Sequence, residues 1–203
     1  MKRHVIFILS LILSLTSCTP IYMKMYGMKS PETITDEKIA EFSENYDIPL
    51  ADSYKLDTSY VTFLYSLDTV KYKYHIKNYL QPLQALYYDK SGQLQSFQIN
   101  CYAGGYPNLK WDRNEVMTTF PPKEQAPIDS ILPLNIQLKY IQQLPDSKDI
   151  STEEYDYIVF VHWNRFMGRQ SKRLIQAVKA NAKLAENQKV KIIYVNTDAI
   201  FAY

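Results

Sequence analysis

The chain is short of the residue types that usually declare a mechanism. Cysteine occurs only at Cys18 and Cys101, and with Cys18 committed near the N-terminus, as argued next, no internal disulfide can form. An exported chain normally uses paired cysteines. Five glycines in 203 residues make neither a phosphate loop nor a G-x-S-x-G elbow. The three histidines are His4, His75 and His162; none lies at ligand spacing from another histidine or a cysteine, so no metal and no other cofactor is expected. Charge of one sign is lacking too. With 23 basic residues against 21 acidic, nucleic acid is not expected as a partner, nor a basic membrane-binding patch.

What is present begins at the N-terminus. Lys2 and Arg3 precede an apolar run from Val5 to Leu15, too short for the roughly 20 residues of a membrane span but suited to a signal peptide. The run ends in Leu15-Thr16-Ser17-Cys18, which resembles the bacterial lipobox. That resemblance implies removal of residues 1–17 and lipidation of Cys18, which would tie the chain to a membrane of the bacterial envelope. Several acyl chains hold firmly where one alone is marginal. The expected address is the outer membrane, facing the periplasm. Loss of Lys2 and Arg3 leaves 21 basic residues against 21 acidic.

Residues 18–34 read as a tether, and residues 35–203 as a single domain. Met23, Met25 and Met28 stand close together in the tether, as soft copper ligands do; a flexible spacer is the reading adopted. Thr35 is placed to cap a helix over 36–46, with Ile39, Phe42 and Tyr46 at helical spacing. Tyr60, Phe63, Leu64 and Leu67 suit a helix opened by Asp57, whereas 70–76 suits an exposed strand better. Two β-prone runs around Asp89-Lys90-Ser91-Gly92 predict a hairpin over 84–101. Cys101 is expected as a small buried hydrophobe at a strand end. Gly104 and Gly105 mark a backbone need, and Leu134, Leu138, Ile141 and Leu144 predict a helix over 133–144.

Near the C-terminus, Tyr157 to Val161 is a continuous apolar run, as in a strand buried on both faces. An amphipathic helix over 169–187 and a second buried strand over 191–195 complete a βαβ unit. The stretches "IVFVHWNRFMGRQSKRL" and "VKIIYVNTD", roughly 157–198, resemble the central part of the thioredoxin superfamily. Trp163 falls where that family has its active-site tryptophan, and Met167-Gly168-Arg169-Gln170 falls on its Cys-Gly-Pro-Cys window. Asn196-Thr197-Asp198 falls on the Asn-x-Asp that ends the next strand.

The resemblance implies a thioredoxin-like mixed sheet, an α/β fold with a βαβ core (157–196) and a β-hairpin (84–101). In the family a helix, a cis-proline, a hairpin and a closing helix follow the βαβ unit. Here Pro82 and the hairpin precede it, with 133–144 as the closing helix, so a circular permutation is one expectation. A plain α/β layer with the hairpin as an N-terminal addition is the other. Both catalytic cysteines are missing. Without a thiolate at Met167 or Gln170, disulfide exchange cannot be carried over.

The C-terminal ends of parallel strands are where such sheets hold ligands. His162, Trp163, Arg165, Met167, Arg169, Gln170 and Pro82 are therefore the candidate contact set, with Asn164, Asn196 and Asp198 as neighbours. The partner would be an envelope protein, or a small anionic ligand held by a helix N-terminus and two arginines. The function expected is a redox-inactive binding or accessory module. Two alternatives stand beside it: an enzyme using Cys101, with a histidine as base if the fold unites them, and a tyrosine-rich module over 54–106 that binds glycan or protein.

Overall fold

A computed structural model describes residues 26–202. The signal segment, Cys18, Met23 and Met25 lie outside the described residues. Six strands form one mixed sheet in the order β3-β2-β5-β6-β1-β4: β1 Ser53–Leu56, β2 Gln84–Asp89, β3 Leu94–Ile99, β4 Ile141–Gln143, β5 Tyr157–Trp163 and β6 Val190–Asn196. The strands β5, β6 and β1 run parallel. β2 and β3 add antiparallel on one side, and β4 adds antiparallel on the other. This is the expected α/β class, with the βαβ unit and the hairpin side by side in one sheet, compatible with a thioredoxin-like arrangement.

Period-two alternation splits the core. Val159, Val161 and Trp163 of β5 join Ala85 and Tyr87 of β2 on one face. Helix α1 (Asp36–Asn45) and the long helix α6 (Arg169–Ala182) cover that face with Ile39, Leu174, Ile175 and Val178. Ile158 and Phe160 point the other way, with Leu86 and Tyr88. Tyr60 and Leu64 of α2 (Ser59–Ser66) cover them, with Ile76 and Tyr79 of α3 (Lys73–Tyr79) and irregular chain around Ala126 and Leu132. Each such fully buried side chain contributes about 1.5–3 kcal/mol.

Local signals explain the well-placed elements. Thr35 caps α1 by accepting the Lys38 amide at 3.3 Å. The hairpin turn is held by Asp89, whose Oδ1 accepts the amides of Ser91 (2.9 Å) and Gln93 (3.1 Å).

Four expectations need correction. Residues 73–79 are helical, not a strand: Asp68 Oδ1 accepts the amides of Val70 and Lys71, and Ile76 and Tyr79, three apart, are buried. The predicted helix over 133–144 breaks into one turn, α5 (Leu134–Gln137), a 3₁₀ turn (Leu138–Tyr140) and β4. The open edge of β1 supplies a partner for the last piece, pairing Leu56 with Ile141 and Tyr54 with Gln143. The hairpin strands end at Ile99, and Asn100–Ala103 form a helical turn, α4. Cys101 lies in that turn and is exposed, with its Sγ 2.9 Å from Gln81 Oε1. Gly104 and Gly105 adopt positive φ, +64° and +73°. A short C-terminal turn, α7 (Asp198–Phe201), follows β6.

Candidate functional site

The loop between β5 and α6 occupies the carboxyl edge of the sheet, and most of its polar groups are spent on holding it closed. Asn164 is the centre. Its Nδ2 donates to the Pro82 carbonyl at 2.8 Å and to Thr197 Oγ1 at 3.3 Å, and its Oδ1 accepts the Met167 amide at 2.9 Å. Ser171 Oγ accepts the Asn164 amide and donates to the Asn164 carbonyl at 2.6 Å. One fully buried asparagine thus ties together the loop, the start of the hairpin and the end of β6. Pro82 and Met167 meet on the same side chain.

Asp198 braces the next residue. Its Oδ2 accepts the Arg165 amide at 2.7 Å and Asn196 Nδ2 at 2.8 Å. Burial nevertheless raises its carboxyl above the usual range, outweighing those donors and the Arg165 charge. The Arg165 side chain is 9% exposed and donates to the Ser30 carbonyl and to Glu32 Oε1, both at 2.8 Å. The anion expected at Arg165 is therefore supplied by the chain's own Glu32.

Residues 27–32 lie over this loop as a strap. The Lys29 amide donates to the Phe166 carbonyl at 2.9 Å. Gly168 (φ +48°) approaches Gly27 so closely that a Cβ on Gly168 would run into the Gly27 carbonyl. The left-handed φ and the close approach each demand glycine. Gly27 also lies beside Arg169, the first residue of α6, whose side chain a Cβ on Gly27 would crowd. The end of the predicted tether is thus part of the domain surface.

The expected contact set divides accordingly. Trp163 is fully buried and packs edge-on against Tyr46 at 5.4 Å. Met167 is buried, and Gln170, fully buried, accepts the Leu109 amide at 3.0 Å through Oε1. Arg165 is engaged as described, Pro82 is half-buried, and only Arg169 is exposed. His162 does not belong with the others. Alternation turns it to the opposite face, where its Nε2 accepts from Gln137 Nε2 at 3.1 Å. Burial pushes its pKa down to about 3, so the ring is neutral.

Sequence reasoning missed Gly27, Ser30, Glu32 and Leu109 as parts of this edge. The only available signal was a glycine in the tether of a glycine-poor chain. Among the described residues no histidine is bonded to Cys101: His75 Nδ1 lies 2.6 Å from Asp129 Oδ2, and His162 is paired with Gln137. Among the described residues no group of three or more His, Cys, Asp or Glu could hold a metal ion, and no helix is long and apolar enough to cross a membrane. Of the tyrosines, Tyr54, Tyr60, Tyr79, Tyr87 and Tyr88 are core, while Tyr65, Tyr74, Tyr102 and Tyr106 are exposed. The chain matches no family model, no curated protein and no solved structure.

Proposed function

We propose that the protein is a lipid-anchored lipoprotein of the bacterial envelope whose domain is a redox-inactive, thioredoxin-like accessory module. The observation that carries the redox half is the state of the CxxC-like window. Met167 and Gln170 are both buried there, and Gln170 is bonded to a neighbouring loop. The window is a packed joint with no thiolate to attack a disulfide. The meeting of Pro82 and Met167 on Asn164 supports a permuted reading in which the proline-hairpin half precedes the βαβ half; the closing helix assigned to 133–144 and a cis bond at Pro82 are not part of it. The anchor half rests on the lipobox-like Leu15–Cys18.

The edge is then read as meeting a component of the envelope. A small anionic ligand is less favoured, because Glu32 already holds Arg165. The exposure of Cys101 favours keeping a second reading, a thiol-dependent activity in the turn that follows the hairpin. Mass spectrometry of the N-terminal peptide from native membranes tests the anchor: a lipid thioether on Cys18 is expected, and an intact residue 1–17 segment with a free Cys18 thiol would contradict it. Reduction of a disulfide substrate tests the other half. The protein should show none beyond the background of its Cys101→Ser variant, and turnover lost in that variant would favour the second reading.

A further inference from the structure

We infer that the strap and the loops beside it form the membrane-facing side of the domain, standing against the lipid surface in which Cys18 is anchored. This rests on the lipoprotein reading above and adds to it an orientation. The strap fixes where the anchor's chain leaves the domain: Gly27 is seated on Gly168, Lys29 on Phe166 and Ser30 on Arg165. Gly27 follows Cys18 by nine residues, which span at most about 32 Å when fully extended. A compact domain of this size has a radius of gyration of about 16 Å, hence a diameter of roughly 40 Å. The tether is shorter than the domain is wide. The opposite end of the sheet, where the 89–92 hairpin turn lies antiparallel to the start of β5, is therefore held away from the bilayer.

The surface around the strap suits that neighbour. Tyr106 is 62% exposed and its hydroxyl lies 3.4 Å from Met28 Sδ, and tyrosine is at home at headgroup depth. Lys29, Lys110, Arg113 and Arg169 are exposed around it, as favours anionic headgroups. Asp112 and Glu115 are the exposed carboxylates of the same loop, and Glu32 is neutralised by Arg165. The face is thus mildly basic although the whole mature chain is balanced.

The test uses the full lipidated protein in a Cys101→Ser background, reconstituted into phosphatidylethanolamine–phosphatidylglycerol vesicles that carry a nitroxide-headgroup lipid. A fluorophore is attached at Lys110→Cys in one sample and at Ser91→Cys in another. The expected result is flotation of both, with quenching at position 110 and none at position 91. Flotation with equal quenching, or with more at 91, would overturn the orientation and leave the anchor standing. Failure to float would overturn both. Arg165→Ala, which releases Ser30 and Glu32, should keep flotation and narrow the difference between the two positions; an unchanged difference would overturn the strap as the orienting contact. A photoreactive group at Arg169 should crosslink to lipid, whereas capture of one specific protein instead of lipid would contradict the proposal.

Discussion

Trp163 and His162 are neighbours on β5 and both are fully buried, yet they face opposite sides of the sheet and meet different surroundings. On the Trp163 side, two regular helices and a braced loop close the core, and the carboxylate there, Asp198, has two N–H donors. On the His162 side, two short helices and irregular chain do the covering. A neutral imidazole, Gln137 and the Tyr60 hydroxyl are sealed among apolar groups; His162 Nδ1 and the Tyr60 hydroxyl lack a partner among the described residues, as Trp163 Nε1, the Tyr87 hydroxyl and Asp198 Oδ1 do on the other side. On the Trp163 face Asn164, Ser171 and Asp198 use their side chains to hold a loop closed. The other carries buried polarity with no chemistry attached. A shared strand does not give its two faces a shared role.

The largest effect that separates the faces should come from Trp163→Ala, a loss of about 3–5 kcal/mol for a large aromatic removed from a close-packed core. It would be read as a lower urea midpoint with an unchanged m-value. Acid should act on the opposite face. His162 has a folded pKa of about 3, below the roughly 6.5 of an unfolded histidine, so the unfolded state takes up the proton first. Its neutral burial is therefore fully tolerated above pH ~6.5, and stability is lost as pH falls toward ~3. Denaturant titrations across that window should show the loss in the native chain and a flatter acid limb in His162→Gln.

Asp198 carries the opposite sign. Its raised folded pKa adds stability below the unfolded carboxyl value, and that gain disappears as pH rises through the folded value. Asp198→Asn should thus cost little at neutral pH and remove the acid-side gain, in the same titration. A similar acid response in both variants would break the contrast between the faces.

Smaller effects sharpen the picture of the loop. Asn164→Ala leaves the Met167 amide and the Pro82 carbonyl without their partner, at a cost of about 2–3 kcal/mol, measurable by thermal or chemical unfolding. Arg165→Ala should cost only about 1 kcal/mol, because Glu32 is 60% exposed and water screens the pair. Its clearer signature is faster proteolysis within residues 27–32. Loss of the Lys38–Glu41 pair, exposed on α1, should change stability by less than about 0.5 kcal/mol and serves as the control.

The same contrast decides how much was legible in the sequence. The Trp163 side could be read well: β5 is an uninterrupted apolar run, α6 repeats its buried residues at helical spacing, and α1 carries its own cap. The hairpin was legible from its turn. Over 70–79 the tyrosines and lysines fit either period, and the deciding contacts, Asp68 on the Val70 amide and Tyr79 on Asp129, are a turn ahead of the helix and a tertiary bond. The 133–144 stretch has helical spacing, but the vacant edge of β1 outcompetes the last turn. His162 was grouped with its sequence neighbours, although strand alternation already places it with Ile158 and Phe160. The strap was out of reach, because nothing in "GMKSPE" reveals that Arg165, more than a hundred residues later, will hold it. The 167–170 stretch was legible as the entry to α6, and the burial of Met167 and Gln170 was not.

The closure of the loop between β5 and α6 is tested most directly by native-state hydrogen exchange at the amides of Lys29, Arg165, Met167 and Gly168. Their acceptors are Phe166 O, Asp198 Oδ2, Asn164 Oδ1 and Arg165 O. A packed structural joint predicts protection approaching that of the β5 amides, with Lys29 the first of the four to open. Exchange at Arg165 and Met167 as fast as at an exposed turn residue such as Lys90 would show an open, ligand-ready loop and contradict the account.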